Sequence, residues 1–367
     1  MNGKIKRLEV NTDLKMMALS FIEAIERLES PFVFPVIGDF IVDRYRYCKV
    51  ERKNLEHDSL IHDLMDASCF YGGAANVANI LGTFSRGSIN KRVDFFLGCG
   101  KNDPRYLQRI NLFDPETFRL NVYCDPVYEK VIPVKTRYIG LNRNEYLFRV
   151  DSEPTRSEFT ALSDDVVYHM SEDIGRLDSD VLFISDYNKG FISEQFLEYL
   201  DDNSNVKHRY CNIRPKRVTK YINRMHLLSF NKTEFIQAYE VLFDELLDVI
   251  AVDNILRLKD KLGVPNVIIT FGSNGFIFCG EHDCCTKVDA PKNLSVGSKN
   301  IIGAGDMISA SFAFFDAMNF HFFLENWEIS AILYLVNCSA FLKVYTGDYT
   351  VSFDLLKSYI NGNLLLF

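Results

Sequence analysis

The sequence predicts an α/β fold, with a mostly parallel central sheet covered by helices on both faces and a small β-rich lid. Strand-like apolar runs alternate with helical runs along most of the chain, and this order favours parallel strands because each crossover lays a helix over the sheet. The strand-like runs span 32–37, 93–97, 131–139, 181–184, 226–229, 267–270 and 276–279. The helical runs span 13–29, 73–83, 193–201, 232–242, 252–262 and 303–320.

Two stretches, 43–71 and 122–151, interrupt this alternation. The first is polar and charged, and the second holds paired strand-like segments, so both are predicted to form the inserted lid. The chain has no internal repeat and no Pro/Gly/Ser-rich linker. We therefore expect a single domain across residues 1–367, with lid insertions near 43–71 and 122–151, rather than two independent domains.

Composition argues against several classes of protein. Apolar residues make up 47% and charged residues 25% of the chain, which is typical of a soluble globular protein. The net charge of -8 argues against a nucleic-acid partner, because such binding depends on neutralising phosphates. No apolar stretch approaches the ~20 residues that cross a bilayer, and no leader-like segment is evident, so no membrane partner is expected.

The nine cysteines and seven histidines show no metal or disulfide framework. The cysteine count is odd, no Cys-x-x-Cys pair occurs, and the adjacent Cys284 and Cys285 are poorly placed for an ordinary structural bridge. These features indicate reduced thiols and a cytoplasmic location. The histidines have no metal-ligand spacing with the cysteines, so none of them is expected to bind a metal.

The first motif with a chemical implication is Gly303-Ala304-Gly305-Asp306, which opens a helical run. The first turn of a helix presents free backbone N–H groups that bind anions, and a carboxylate at that point lies beside any phosphoryl group held there. Phosphoryl transfer needs an anion cradle and a group that accepts the hydroxyl proton. A tight turn with an acidic N-cap explains the same four residues equally well.

The second motif is Tyr71-Gly72-Gly73, followed by a helical run that contains Asn76. Two glycines allow a ligand to approach the backbone closely, and the Asn76 amide can both donate to and accept from sugar hydroxyls. The alternative is a strand-to-helix turn with Asn76 facing solvent. The motif is not a Walker A loop, because no Gly-Lys-Ser/Thr follows.

The third motif, Gly38-Asp39 with Asp43, lies at the carboxyl end of the first strand-like run after the N-terminal helix. Ligands of open α/β sheets collect at that edge, where acidic side chains suit a polyol. An aspartate that merely caps the loop is the alternative.

Together and in this order, the motifs resemble the ribokinase/PfkB carbohydrate kinase family from about residue 32 to residue 351. Two further motifs carry the resemblance, an Asn-x-x-Glu linked to metal and phosphates and a Thr-x-Gly-x-x-Gly nucleotide loop, with a late helical asparagine near the adenine. The matching residues are Gly38, Asp39, Asp43, Gly72, Gly73, Asn76, Asn231, Glu234, Thr270, Gly272, Gly275, Gly303, Ala304, Gly305, Asp306 and Asn337.

Within that family the sequence resembles the heptose 7-phosphate kinases of bacterial lipopolysaccharide precursor synthesis. The segments that carry this likeness contain Lys135 and Arg137, and then Asp186 and Lys189 of an Asp-Tyr-x-Lys-Gly pattern. The cations suit the phosphate already on such a sugar, since charge-assisted contacts hold phosphate well. The alternative is a solvated face of the lid.

The resemblance implies a ribokinase-like fold and transfer of the ATP γ-phosphoryl group to a sugar hydroxyl, at O1 of a heptose 7-phosphate in the closest case. Asp306 is then the base, the amides of 303–305 stabilise developing charge, and Mg²⁺ contacts Glu234 through water. A homodimer is the default partner arrangement. The alternatives are a kinase for another sugar or a nucleoside, and a catalytically silent homologue that binds sugar or nucleotide.

The sequence departs from the family pattern at two places. Lys299-Asn300-Ile301-Ile302 replaces the run that helps to bind a monovalent cation, so a potassium site of the usual form is not expected, and the Lys299 ammonium is a candidate substitute. Arg214 stands where the heptose kinases have an aspartate. No His-x-Gly-His motif of a nucleotidyltransferase occurs, so we expect one activity from this chain.

Overall fold

A computed structural model of the protein describes residues 5–53, 60–86, 90–103, 116–127, 132–141, 145–153, 162–281, 284–291, 303–321, 328–347 and 350–362. Its strands form a central sheet and a smaller second sheet. The strands are β1 Ile5–Arg7, β2 Phe32–Gly38, β3 Phe40–Lys53, β4 Leu60–Gly73, β5 Lys91–Gly100, β6 Phe118–Asp125, β7 Val134–Gly140, β8 Glu145–Ser152, β9 Val181–Ser185, β10 His208–Asn212, β11 Leu227–Asn231, β12 Asn266–Thr270, β13 Phe276–Cys279 and β14 Cys285–Val288.

The central sheet has ten strands in the order β1-β14-β13-β12-β11-β10-β9-β2-β5-β6. Its neighbouring strands are parallel except that β13 is antiparallel to both β12 and β14. The prediction of a mostly parallel sheet is therefore confirmed. The carboxyl ends of β2, β9, β10, β11 and β12 meet at one edge, where polar side chains from distant parts of the chain converge.

Helices cover both faces of this sheet. They are α1 Thr12–Glu26, α2 Ala74–Ser85, α3 Asp164–Gly175, α4 Glu194–Asn203, α5 Lys232–Phe243, α6 Val252–Leu262, α7 Ala304–His321, α8 Ile329–Thr346 and α9 Phe353–Ile360, with 3-10 turns at Pro215–Tyr221 and Gly272–Asn274. Alternate residues of β9 enter different cores: Val181 and Phe183 pack with α1, α2 and α7–α9, whereas Leu182 and Ile184 pack with α3–α6. This alternation follows from the period of two along a strand.

Helices α2 and α7 pack against each other on the first of these faces. Phe84, near the end of α2, has its ring centroid 5.1 Å from that of Phe314 and 5.4 Å from that of Phe315, both on α7. Phe353 of α9 adds a stacked ring 5.6 Å from Phe84. These contacts make these α7 phenylalanines part of the hydrophobic core.

The second sheet, which we call the lid, has the strand order β4-β3-β7-β8. The strands β3 and β4 form a long antiparallel pair across the first predicted insertion, and β7 and β8 a second pair that joins through β7 and β3 in parallel. The second insertion was predicted to begin near residue 122. Residues up to Asp125 instead belong to β6, which pairs with β5 in the central sheet.

Two features bear on the expected location of the protein. Among the described residues, α8 alone is apolar and long enough to cross a bilayer, with a mean hydropathy of 1.4, yet 67% of it is buried inside the protein. It packs on α1 and α7 as a core helix.

Cys279 and Cys285 face each other across β13 and β14 and form a disulfide, which differs from the prediction of reduced thiols.

Candidate active site

A cleft opens at the carboxyl edge of the central sheet. Residues that end or follow β9, β10, β11 and β12 line it together with the turn that starts α7, including Tyr187, Asn212, Thr270, Gly303 and Asp306. The sequence predicted this edge for the Gly38-Asp39 motif, and the structure brings the turn that starts α7 to the same edge. The cleft therefore contains residues of the motif that was predicted to take part in phosphoryl transfer.

Asp306 lies in the first turn of α7, and three neutral donors converge on its carboxylate. The Asn76 amide donates to Oδ2 at 2.8 Å, across 230 residues of sequence. The Tyr187 hydroxyl donates to Oδ1 at 2.7 Å, and the Asn212 amide donates to the same oxygen at 3.2 Å. The diglycine motif and the Gly-Ala-Gly-Asp motif thus meet in one place. Asn76 is buried rather than facing solvent, which excludes the alternative for that residue.

Burial raises the pKa of Asp306, while the hydrogen bonds from Asn76 and Tyr187 lower it. Burial also raises the pKa of the Tyr187 hydroxyl well above its usual value, and the Asp306 charge adds to this effect. Tyr187 is therefore a proton donor to the carboxylate and not a competing base. A carboxyl group whose pKa is raised by desolvation is better matched to taking a proton near neutral pH.

The turn before α7 requires a glycine at its first position. Gly303 has φ +82°, and a Cβ there would lie 3.0 Å from Asn76 Nδ2 and 3.8 Å from Lys343 Cε. Lys343 comes from α8 and is 2% exposed. Burial lowers its pKa to about 8, and the Asp306 charge opposes that shift. A buried cation therefore stands behind the glycine turn, close enough to influence the carboxylate. Ala304 and Gly305 follow as the first two residues of α7.

Asp39 connects β2 to the loop after β9 and is buried. Its Oδ2 accepts from the backbone N–H groups of Tyr187 at 2.7 Å and Lys189 at 3.0 Å, so it positions the Tyr187 side chain. Burial, and then the charge of Asp186, raise the pKa of Asp39 to about 7. Gly73 has φ +62° at the N-cap of α2, where a Cβ would overlap the Asp39 carbonyl oxygen.

Asp186 is also buried, and protein groups occupy its carboxylate. Oδ2 accepts from the Tyr221 hydroxyl and pairs with Lys220 Nζ, each at 2.6 Å, and Oδ1 accepts from the Asn188 backbone at 2.7 Å. The structure thus places this predicted substrate residue at the cleft wall, within an ion pair that holds the loop after β9.

Arg214 connects the Asn-x-x-Glu motif to Asp306. Its guanidinium pairs with the Glu234 carboxylate and lies 4.8 Å from the centre of the Tyr187 ring. The Arg214 charge also lowers the pKa of Asp306. The residue that departs from the heptose kinase pattern is therefore a cation in the cleft, two contacts away from the proposed base.

The Asn-x-x-Glu motif forms a capping box at the start of α5. The Asn231 side chain accepts from the Glu234 backbone at 2.9 Å, and Glu234 Oε2 accepts from the Asn231 backbone at 2.8 Å. Burial raises the pKa of Glu234 despite the neighbouring Arg214. This box explains the spacing of the motif without any ligand, although both residues line the cleft.

The predicted nucleotide loop follows β12. Thr270 lines the cleft, and Gly272 and Gly275 flank the short turn that leads into β13. The Asn337 amide, on α8, donates to the Asp289 carbonyl at 3.2 Å, just after β14. These residues lie on neighbouring elements at one end of the sheet.

In the lid, Asp43 and the predicted cations form a charged cluster. Arg137 pairs with Asp43, with side chains that are 12% and 18% exposed, and Gly72 leaves room for the Asp43 carboxylate on the paired strand. Burial lowers the pKa of Lys135, which faces Asp43 across β3 and β7, while the Asp43 charge opposes that shift. Lys189 Nζ donates to Glu153 Oε2 at 2.6 Å. Lys189 lies in the loop after β9 and Glu153 just beyond β8, so the cations of the lid and of the loop that meets it are matched by carboxylates.

The sequence did not single out Asn212, Tyr187, Lys343 or Glu153 as site residues. Tyr187 and Asn212 follow strands at the ligand edge, a weak signal that many polar residues share. Lys343 is a lone cation within an apolar helical run, which is the stronger signal, since a lysine is rarely buried without a reason. The altered segment 299–302 lies outside the described residues.

The fold is ribokinase-like. Phosphofructokinase-2 from Escherichia coli, in complex with fructose-6-phosphate, matches with a TM-score of 0.64 over 90% of this chain and 99% of its own, at 13% identity. Ribokinase from Giardia lamblia matches with a TM-score of 0.64 over 91% of this chain and 100% of its own, at 14% identity. Identities this low establish the fold alone.

At the level of sequence, the chain is similar to proteins named bifunctional protein HldE, although no protein-family model matches it. HldE of Helicobacter pylori strain J99 is 27% identical over 279 residues, covering 75% of this chain and 56% of the relative. HldE of Campylobacter jejuni subsp. doylei is 28% identical over 332 residues, covering 88% and 64%. The chain therefore spans roughly half to two thirds of these curated relatives. The resemblance that the motifs indicated is confirmed.

Proposed function

We propose that the protein is an ATP-dependent sugar kinase of the PfkB type in which Asp306 accepts the proton of the acceptor hydroxyl. The observation that carries this proposal is the 2.8 Å hydrogen bond between Asn76 and Asp306, which joins the sugar motif to the phosphoryl motif. The ribokinase-like fold and the likeness to kinases support it. A carboxylate at the start of a helix, in a cleft at the ligand edge, is the arrangement that the reaction needs.

Among the described residues, the hydrogen bonds to the Asp306 carboxylate leave one lone-pair position for the substrate. An ionised carboxylate offers about four lone-pair positions, and Asn76, Tyr187 and Asn212 use three of them. The acceptor hydroxyl would donate to the fourth. As its oxygen attacks the γ-phosphorus, the proton passes to Asp306, the bond from the γ-phosphorus to the bridging oxygen breaks, and ADP leaves with that electron pair.

Two cations near the base suit the charge of the transferring group. The turn 303–305 supplies backbone N–H groups at the start of α7, Arg214 projects into the cleft, and Lys343 is buried behind Gly303. We propose that Arg214 contacts the transferring phosphoryl group, because guanidinium groups bind its oxygens in a bidentate manner. We propose that Lys343, rather than Lys299, supplies the ammonium that substitutes for a monovalent cation.

The donor set of the cleft fits a Mg²⁺ ion carried mainly by the ATP phosphates. Glu234 would hold it through water, since its carboxylate oxygens keep lone pairs beyond those used by Arg214 and the Asn231 backbone. When bound, the ion neutralises phosphate charge. Thr270, Gly272, Gly275 and Asn337 are the proposed nucleotide residues.

We propose a sugar phosphate as the acceptor, with heptose 7-phosphate at O1 as the first candidate. The sequence resemblance to heptose 7-phosphate kinases and the similarity to HldE proteins support this choice. Asp43, Gly72, Gly73 and Asn76 would orient the sugar. The lid cations Lys135 and Arg137, together with Lys189 from the loop after β9, would contact its phosphate. Asp39 and Asp186 hold the loop after β9 in place behind them.

The test is an ADP-release assay with a panel of sugars, sugar phosphates and nucleosides. We expect the Asp306→Asn variant to lose about a thousandfold in kcat, within the range that a general base contributes, while still binding ATP and sugar. Asp253→Asn, an exposed aspartate at the start of α6, serves as the matched control and should leave kcat unchanged. Near-normal turnover by Asp306→Asn would contradict the assignment of the base.

The same panel distinguishes the alternatives. ADP release with a nucleoside or another sugar alone would keep the kinase and replace the acceptor. Sugar or nucleotide binding without ADP release from any acceptor would favour the silent homologue, for which the Arg214–Glu234 pair is the supporting observation, because it occupies the predicted metal ligand.

We also propose that the protein works in the cytoplasm, where ATP is supplied, and as a homodimer. The edge strand β8 carries Tyr146, Phe148 and Val150, alternate residues that are 56%, 47% and 51% exposed. An exposed apolar stripe on a sheet edge is a surface that a second lid can cover. The sedimentation behaviour of the purified protein checks the dimer.

A further inference from the structure

A cluster of two imidazoles and a carboxylate lies at the other end of the central sheet from the cleft. His208 opens β10, His226 directly precedes β11, and Asp316 comes from α7, ten residues beyond Asp306. One ligand atom from each residue lies within 4.8 Å of the other two. No metal-ligand spacing in the sequence indicated this group, because three separate elements bring it together.

The backbone holds the two histidines side by side. The backbone N–H of His226 donates to the Arg209 carbonyl at 2.8 Å, and the two imidazole centroids are 4.2 Å apart. Phe320, one turn beyond Asp316 on α7, lies against His208 with its ring centroid 3.8 Å away. The imidazoles are therefore fixed in place by packing, which is a requirement for a preformed ligand set.

The polar atoms of the cluster are poorly satisfied without a cation. His226 Nε2 lies 3.2 Å from Asp316 Oδ2 and 3.1 Å from Asn266 Nδ2, and one nitrogen cannot both donate to the carboxylate and accept from the amide. His208 Nδ1 is buried and has no hydrogen-bond partner in the described part of the chain. Buried polar atoms normally have partners, so this cluster has ligand capacity to spare.

Burial of His208 favours the neutral, ligand form of its ring. Burial, and then the neighbouring His226, lower the pKa of His208, whereas the carboxylates of Asp316, Asp180 and Glu281 oppose this shift. A neutral imidazole is the form that coordinates metal ions. The surrounding carboxylates in turn compensate the charge of a bound cation.

We propose that His208, His226 and Asp316 bind one divalent transition-metal ion, with Zn²⁺ as the best match to the ligand types. Imidazole with carboxylate suits zinc, cobalt and nickel, whereas Mg²⁺ prefers oxygen ligands throughout. Zinc ligands at ~2.0–2.1 Å lie roughly 3.3 Å from one another in a tetrahedron, so the side chains need to close by only about 1.5 Å. The His226 and Asp316 side chains are 16% and 19% exposed, which leaves water a path to the remaining position.

The ion would join the start of β10 and the start of β11 to α7. Helix α7 carries Asp306 in its first turn, so metal binding would fasten the far end of the helix that positions the base. The site is separate from any Mg²⁺ that accompanies ATP. Its existence does not depend on the proposed reaction, and the experiment therefore uses protein free of nucleotide and sugar.

The experiment is a titration of the full chain with Co²⁺, with the thiols kept reduced by a phosphine. We expect one equivalent to bind with the visible absorption of a four- or five-coordinate cobalt ion, and Zn²⁺ to displace it. His208→Gln and Asp316→Asn should each weaken this binding by at least about 100-fold, since losing even a residue that only orients a ligand costs roughly 10–100-fold. His169→Ala is the matched control, an exposed histidine paired only with Glu172 among its described ionic neighbours, and should bind as the parent does.

Thermal unfolding gives the second readout. Excess Zn²⁺ should raise the Tm of the parent and of His169→Ala but not that of His208→Gln. Asp316 also accepts from the Tyr210 hydroxyl at 2.8 Å, so Asp316→Asn can perturb folding, whereas His208→Gln removes a ring whose Nδ1 makes no such bond. Equal binding by parent and His208→Gln, with both folded, would place the ion elsewhere, for example on cysteines. Absence of binding by the folded parent would reduce the cluster to a histidine–aspartate pair.

Discussion

The floor of the cleft and the lid hold their charged groups in different surroundings. Asp306 receives hydrogen bonds from the neutral side chains of Asn76, Tyr187 and Asn212, and we call this part of the cleft its floor. In the lid and in the loop after β9 that meets it, cations pair with carboxylates, as in Arg137–Asp43 and Lys189–Glu153.

Under the proposed mechanism, this difference corresponds to two roles. Neutral donors fix a carboxylate and adjust its pKa without cancelling its charge, so the floor would be preorganised for a proton transfer before any substrate binds. In an ion pair, each charge is neutralised by its partner until a more strongly binding anion or cation replaces that partner. The cations of the lid would therefore exchange a carboxylate for the phosphate of the substrate. We expect substitutions on the floor to change kcat and substitutions in the lid to change KM.

After Asp306 itself, the largest effect in this comparison is expected at Arg214, a cation that lines the cleft with a side chain that is 40% exposed. Arg214→Met should lower kcat about 100-fold, because removal of one donor to transition-state charge typically costs 10²–10³. The KM for the sugar should change little. Steady-state kinetics measure both quantities.

Glu234→Gln is the comparison variant for Arg214. Glutamine retains the capping box at the start of α5 but loses the ion pair with the guanidinium. If Arg214 acts only by holding Glu234, both variants will lose activity equally. A much smaller loss in Glu234→Gln assigns the effect to the guanidinium itself.

A smaller effect is expected at Tyr187. Its hydroxyl stabilises the ionised form of Asp306, so Tyr187→Phe should raise the pKa of Asp306 above its already raised value. The base acts only when deprotonated, so activity falls as pH falls through this pKa. The acidic limb of the kcat profile should therefore move to higher pH in the variant, with about a tenfold loss of kcat.

Tyr199→Phe is the control for Tyr187, because that hydroxyl accepts from Gln195 within α4, apart from the cleft. Its pH profile should overlay that of the parent. An unshifted acidic limb in Tyr187→Phe would show that Asp306 does not set that limb.

The smallest and most selective effect is expected where the loop after β9 meets the lid. If the Lys189 ammonium contacts the phosphate of the sugar, Lys189→Met should raise KM for a sugar phosphate about tenfold. Glu153→Gln removes the carboxylate that now holds Lys189 at 2.6 Å and should lower that KM several-fold, since this partly exposed pair competes with the phosphate for the ammonium. Neither variant should alter KM for the unphosphorylated sugar. Opposite shifts in the two variants, seen with the phosphate alone, are the signature of partner exchange.

Much of the fold could be predicted because periodicity reports burial directly. Alternating strand and helix runs gave the parallel sheet, and the polar runs gave most of the lid. The boundary at residue 122 was wrong because β6 and β7 both read as strands, and only pairing with β5 assigns the first of them to the central sheet. Pairing is a long-range property that local pattern does not contain.

The site was predictable to the extent that its residues follow strands at one edge. The joint resemblance of the motifs to one family further predicted that Asn76 and Asp306 meet, and the structure joins them across 230 residues. It could not identify the partners of charged groups, so Arg137, Lys189 and Glu234 appeared as open ligands although each is paired. The disulfide between Cys279 and Cys285 and the histidine cluster depend likewise on which strands and helices become neighbours.

The packing of α2 against α7 determines how Asn76 is placed against Asp306. Asn76 contacts Asp306, and eight residues further along each helix Phe84 contacts Phe314. The two helices therefore run parallel without slippage, locked at two levels about 12 Å apart. The buried pair Phe84–Phe314 thus sets the register at which Asn76 meets Asp306, and a change to either ring would shift that hydrogen bond from a distance.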